Sequence, residues 1–300
     1  MRPLPPHRDR FLAFTFALAL LLAPIGSASA QRAKQIETPT IESTFQTVVA
    51  LGSALLSTTA RQFSEDPYEQ FRGARYSNAG LISERNETKL GNQLNVEVAK
   101  RYKLTTDGQA RLNRIGQRVA RASLRPGIAY TFHVMRDDQF NAFSGPGGHV
   151  YVTDTLMKRA NDDELASVLS HEVGHVVARH SLKTIQQSQT LGGLAELFGS
   201  ITGVAGDTAG ELGKAAASIV AGGLLAVHNR EEEREADFLG VRGMTKAGFN
   251  PEGMVTMFQK LLQVSRTDAG LLGSLFNDHP DAQERIDNTR YEIKRMRGGK

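Results

Sequence analysis

The stretch that most restricts what this chain can become is LASVLSHEVGHVVARHS, residues 165–181. Leu165, Val168, Leu169, Val173 and Val176 recur at helical spacing, so the segment must turn a face into a core. Asn161, followed three residues later by Glu164, predicts a capping box at its start. On such a helix His171 and His175 lie one turn apart, offset by roughly 40°, and their rings can converge on one ion. Glu172 stands roughly 100° around from His171, where its carboxylate can reach a water held by that ion without joining the ligand set. The plainer alternative is a pair of core histidines on an ordinary helix. A random chain of this length carries the pattern on the order of 1% of the time, which favours the metal-activated hydrolase.

A catalytic zinc needs a third protein ligand and an open position. His180, nine residues after His171, falls about 180° away if the helix runs on, so it is set aside as a ligand and expected to meet the helix's last carbonyls. The stretch NREEEREADFLG, Asn229 to Gly240, offers a better candidate. Glu233 and Asp237 stand one turn apart, and Ala236 and Gly240 keep that face small enough for close approach to the first helix. A ligand carboxylate followed at four by one that fixes an imidazole's tautomer suits a zinc-histidine site. Glu231, Glu232 and Glu235 are expected on a solvated charged face.

His171-Glu172-Val173-Gly174-His175 followed by Glu233-Arg234-Glu235-Ala236-Asp237 resembles the HExxH and ExxAD pair of metallopeptidase family forty-eight. That family contains the HtpX proteases, the CAAX-processing Ste endopeptidases and the periplasmic BepA-like and LoiP-like proteases. Asn141-Ala142-Phe143 with Pro146-Gly147-Gly148 is similar to its strand segment, and His279-Pro280 with Arg285 to its C-terminal element. The resemblance runs from about residue 85 to 290. It implies a zincin, minigluzincin-like catalytic domain, one zinc ion per chain on His171, His175 and Glu233, Glu172 as catalytic base, and Asp237 orienting a ligand histidine. It further implies that His279 reaches the zinc or the oxyanion and gates the site, and that Arg285 supports the transition state or the loop. Without the resemblance, His279 caps the last helix and Arg285 pairs with a neighbouring carboxylate. Membrane members carry spanning helices not seen here and BepA-like members add a helical-repeat domain, so the short exported form is the expectation.

Cysteine is absent, which excludes disulfides, thiol catalysis and cysteine zinc sites, and leaves His, Asp and Glu to bind any metal. Arg2, Arg8 and Arg10 precede an apolar run from Phe11 to about Pro24, and Ala28-Ser29-Ala30 follows, the pattern of a secretory signal peptide over 1–30 cleaved after Ala30. The run is short of the roughly 20 residues that span a bilayer. Removing this segment, with three arginines and one aspartate, takes the formal charge from +4 to +2, which argues against nucleic acid as a partner. Localisation is therefore expected to be exported, periplasmic in a Gram-negative cell.

Residues 31–80 form a lead segment with one expected helix, and 81–300 the catalytic domain. Helices are predicted over about 82–103, around Leu112, Ile115 and Val119, and over 230–245, 251–264 and 280–296; strands over 129–135 and 147–154. The Gly/Ala-rich stretch 191–227 reads as a helical excursion or cover, or alternatively as a peripheral membrane contact. The fold class is α+β, predominantly helical, with a small sheet beside the metal-bearing helices. Gly148, His149, Val150 and Tyr151 are expected to bind substrate as an edge to which an extended peptide adds a strand, the bland alternative being a plain sheet edge. His133, His149 and His228 are otherwise assigned to structure.

The expected function is zinc-dependent cleavage of misfolded or unassembled envelope polypeptides by a zinc-activated water, in protein quality control. A latent zinc-bound chaperone or assembly factor is the alternative.

Overall fold

A computed structural model of the chain describes residues 66–74, 76, 82–188, 199, 208–226, 228–267 and 282–298. The expected signal peptide, the lead segment before residue 66, most of 191–207 and His279 lie outside these. The first long helix, α1 (Glu84–Arg101), starts where the Ser83 hydroxyl accepts the Asn86 N–H at 3.3 Å. After β1 (Leu104–Thr105), the Asp107-Gly108 turn, with Gly108 at φ +80°, leads into α2 (Gln109–Ala122).

Three further strands, β2 (Thr131–Met135), β3 (Ala142–Ser144) and β4 (His149–Thr153), join β1 in a mixed sheet of order β1-β2-β4-β3. β4 runs parallel to β2, with Thr131 opposite His149 and Met135 opposite Thr153. On its other side it runs antiparallel to β3, with Ala142 opposite Val152 and Ser144 opposite Val150. This corrects the expectation that Gly148, His149, Val150 and Tyr151 present a free edge. Both sides of β4 are paired and all four residues are buried. The run HVYVT is buried on both faces, as in an interior strand, and the three-residue β3 that flanks it is too short to show a period in the sequence.

The short α3 (Asp154–Arg159) leads into α4 (Asp162–Ala178), the helix of the opening motif. Its predicted capping box is present: Asn161 Oδ1 accepts the Glu164 N–H and Glu164 Oε2 accepts the Asn161 N–H, both at 2.9 Å. Every residue from Glu164 to Ala178 is buried, so α4 is wrapped on all sides rather than on one face. After it come α5 (His180–Ser188), α6 (Thr208–Ala221), a 3-10 turn at Leu224–Ala226, α7 (Arg230–Lys246), α8 (Glu252–Thr267) and α9 (Ala282–Met296). The molecule is mostly helical with a small mixed sheet.

α7 is the closest partner of α4, and the contact is made of small residues. A Cβ at Gly174 would stand 3.0 Å from the Ala236 carbonyl oxygen, and one at Gly240 3.1 Å from the His171 nitrogen. The Ser170 hydroxyl donates to the Gly240 carbonyl at 2.8 Å. The stripe of Ala236 and Gly240 thus does what its composition implied.

α4 does not continue through His180. Arg179 adopts φ 59°, a left-handed conformation costing about 1 kcal/mol or more outside glycine. Its guanidinium is held by Glu87 of α1 at 3.0 Å. The reversal starts α5 at His180 and turns this residue back toward His175, so His180 belongs to another helix and not to the last carbonyls of α4.

Replacing Gly174 by alanine tests the helix contact. In an isolated helix the change is favourable by up to about 1 kcal/mol; here overpacking against the α7 backbone should turn it into a net loss of about 1–2 kcal/mol. A urea unfolding curve showing Gly174→Ala as stable as the parent would refute the close-packed interface.

Candidate metal centre

α4 and α7 carry three buried donors to one point. His175 Nε2 lies 3.0 Å from His171 Nε2 and 3.3 Å from Glu233 Oε1, and His171 Nε2 lies 3.3 Å from Glu233 Oε2. One ligand atom from each falls within 4.8 Å of the others. Two nitrogens at the usual zinc distance in a tetrahedral shell stand roughly 3.3 Å apart, so the residues present fit a small divalent cation. Two imidazoles and one carboxylate make a borderline-soft set that suits zinc and leaves a fourth position.

Each donor is held from behind. Asp237 Oδ1 accepts from His171 Nδ1 at 2.9 Å, which turns Nε2 toward the cluster. Arg285, from α9, donates to both Asp237 oxygens at 2.7 Å and approaches Glu233 Oε2 at 3.4 Å. It lies over the Phe258 ring at 4.3 Å. Of the two readings of Arg285, this placement is the pairing with a neighbouring carboxylate.

The electrostatics follow from burial and neighbours. Burial works against charge on His171, but Glu233 and Asp237 outweigh it and raise its pKa to about 10. His175 is driven well below the ordinary histidine range, by burial first and then by His228. Burial opposes ionisation of Glu233 and Asp237 too, yet His171 and His175 hold the first well below the usual carboxylate range, and Arg285 and His171 lower the second.

Glu172 is the exception. It is 1% exposed, and neither oxygen of its carboxylate finds a hydrogen-bond donor among the described residues. Burial pushes its pKa up to about 7, the range of a group that must both take and return a proton.

Several residues at the centre escaped the sequence reading. His180 Nδ1 meets His175 Nδ1 at 2.9 Å, and His180 Nε2 meets Glu235 Oε2 at 3.0 Å. Tyr76 donates to Glu235 Oε1 at 2.7 Å. Glu235 is therefore not on a solvated face, and neither is Glu232, which is 8% exposed and closes a capping box with Asn229; Glu231 is exposed as expected. His228 stacks on His175 with ring centres 3.9 Å apart. Nearness in sequence was the only signal for His228, and no local signal marks Tyr76. His149 and His133 stay in the sheet, where His149 bonds to Thr131 and Asn92.

The sequence model of Peptidase family M48 matches residues 107–293. The metalloprotease YcaL of Escherichia coli (strain K12) is 31% identical over 168 residues, 56% of this chain and 63% of its own length. The β-barrel assembly-enhancing protease of Yersinia pestis is 30% identical over 190 residues, 62% of this chain and 39% of its own. The mitochondrial metalloendopeptidase OMA1 of Schizosaccharomyces pombe is 30% identical over 176 residues, 58% of this chain and 50% of its own. The chain thus covers less than two thirds of the length of each of these relatives. HExxH on one helix, ExxAD on its closest partner and a family match over more than half of the sequence lead to one conclusion: the chain belongs to Peptidase family M48 and carries that family's metallopeptidase domain.

Proposed function

We propose that this protein is a zinc-dependent endopeptidase of minigluzincin-like fold, acting on misfolded or unassembled polypeptides of the cell envelope. His171, His175 and Glu233 hold one zinc ion, and Glu172 is the general base. The observation that carries the reading is the convergence of three buried donors beside a buried carboxylate whose pKa is raised to about 7. When bound, zinc supplies Lewis acidity, bringing a water's pKa toward about 7 and polarising a peptide carbonyl. Glu172 takes the proton of the attacking water and returns it to the leaving amine. Asp237 keeps His171 in one tautomer, and Arg285 balances the charge of Asp237 and Glu233 so that both stay ionised in the core.

The envelope assignment draws on the name of one relative, the β-barrel assembly-enhancing protease, and on the signal-peptide pattern of residues 1–30. Residues 31–80 act in this reading as a lead segment, 81–300 as the peptidase domain, and His279 as a gate. No helix among the described residues is long and apolar enough to cross a membrane.

One observation favours the second reading, a latent zinc-bound chaperone. The outer sheet edge beside α4 is β3, whose Ser144 hydroxyl donates to the Glu172 carbonyl, and its three residues are buried. The Ser181 hydroxyl donates to the Ser144 carbonyl at 3.1 Å, and buried Leu225 of the 224–226 turn packs beside Gly145. An extended peptide has to displace these contacts to pair there.

Casein cleavage by the chain from Gln31, at matched zinc content, separates the two. Glu172→Gln should keep the metal and lose activity by about 100- to 10,000-fold; equal rates would end the base assignment, and no cleavage by either with client bound would favour the chaperone. Zinc at 1,000 times its Kd should stabilise the protein by about 4.1 kcal/mol. Glu233→Gln should lose most of that gain, and an undiminished zinc-induced Tm shift would remove Glu233 from the ligand set. A third expectation concerns pH. Because the folded-state pKa of Glu172 is raised from 4.5 to about 7, its contribution to stability is complete below pH 4.5 and is lost as pH rises through 7. The stability of metal-free Glu172→Gln relative to metal-free parent should therefore grow by up to about 3 kcal/mol over that window. A flat difference would contradict the shift.

A further inference from the structure

His175 has two ring nitrogens and the metal reading uses one. Its Nε2 faces His171 and Glu233, so whatever meets Nδ1 decides the tautomer and the ring orientation. At His171 that partner is a carboxylate, Asp237; at His175 it is a second imidazole, the Nδ1 of His180 at 2.9 Å. An imidazole can donate or accept, so His180 does not by itself fix the direction of this bond.

Glu235 supplies the direction. Its Oε2 lies 3.0 Å from His180 Nε2, and an ionised carboxylate only accepts, so His180 carries a proton on Nε2 and, as a neutral ring, presents a bare Nδ1. The His175 Nδ1–H then donates to His180, and His175 Nε2 is left bare toward His171 and Glu233. The opposite assignment sets two acceptors against each other at 3.0 Å, between a side chain with no exposure and one 16% exposed. It also places a proton on the nitrogen that must bind metal. Tyr76 donates to the other Glu235 oxygen at 2.7 Å and thereby fixes the carboxylate. His228, stacked on His175, holds the ring plane but not its tautomer.

We propose that His180 is a positioning residue for the metal centre: with its tautomer set by Glu235 and Tyr76, it keeps His175 Nε2 free to bind zinc. The inference rests on the zinc reading above. It also brings Tyr76, which lies before the family-matched residues 107–293, into the support of the centre.

The test is zinc affinity by chelator competition for the full mature chain and for His175→Ala, His180→Ala, His180→Asn and His180→Gln, with the metal-free thermal midpoint of each. Asparagine can place an oxygen near the position of Nδ1, whereas glutamine places its polar group near that of Nε2. His180→Ala should weaken zinc binding about 10- to 100-fold. His180→Asn should recover most of the loss and His180→Gln little of it, with no matching order in the metal-free midpoints. Unchanged affinity in His180→Ala, while His175→Ala is weak, would overturn the proposal and leave the zinc site standing. Equal losses in Asn and Gln that track the midpoints would overturn it in favour of a packing role. If the parent bound zinc no better than His175→Ala, the zinc reading itself would fall, and this inference with it.

Discussion

The structure depends on how closely α4 can lie against α7. Glutamate and histidine side chains reach only a few ångströms, so ligands from two helices meet only if the backbones come together where those side chains leave them. Gly174 and Gly240 make that possible, with backbone atoms of the other helix about 3 Å from where their Cβ atoms would be. In most cores the width of a helix interface is set by what must be filled. Here it is set by what must be reached, and the Ser170 hydrogen bond to the Gly240 carbonyl uses a backbone acceptor that bulkier residues would have held away.

Such a site gathers charge in a place that disfavours it. Glu233, Asp237, His171 and Arg285 are all buried or nearly so, and none is tolerable alone in an apolar interior. They persist as a network spread over α4, α7 and α9, in which each ionised group faces an opposite one. Glu172, one residue from His171, has no hydrogen-bonded counter-charge in that network, and the excess of burial over charge suits it to proton transfer. The same helix thus carries a histidine raised to about pKa 10 and a glutamate raised to about 7, for opposite reasons: the carboxylates around the first outweigh its burial, and burial of the second outweighs the cations near it.

What could be read from the sequence was what lies within one turn of helix. The pairs His171/His175 and Glu233/Asp237, the cap at Asn161, and the long amphipathic helices are local patterns, and geometry at that range follows from spacing. The failures are non-local. β4 looked like an edge because β3 is only three residues long and because the pairing with β2, a strand the sequence did predict, joins residues eighteen positions apart and leaves no local mark. His180 was placed on the wrong side of a helix because the left-handed turn at Arg179 leaves no compositional mark; a glycine there would have announced it. Glu235 stands on a different face from Glu233, and its partial burial is visible only once the turn at Arg179 brings His180 onto it. Tyr76 belongs to a stretch whose role the sequence did not disclose.

The Glu87 carboxylate is shared by two guanidinium groups. Arg125 donates to it at 2.8 Å and Arg179 reaches it at 3.0 Å, while Arg125 also donates to the Val176 carbonyl at 3.0 Å. Opening α1 would strand two arginines against the end of α4, one of them at the residue that redirects the chain to His180. The Glu87 carboxylate thus ties α1 to the last turn of α4, about ninety residues away, so that neither can open without leaving a buried charge unpaired.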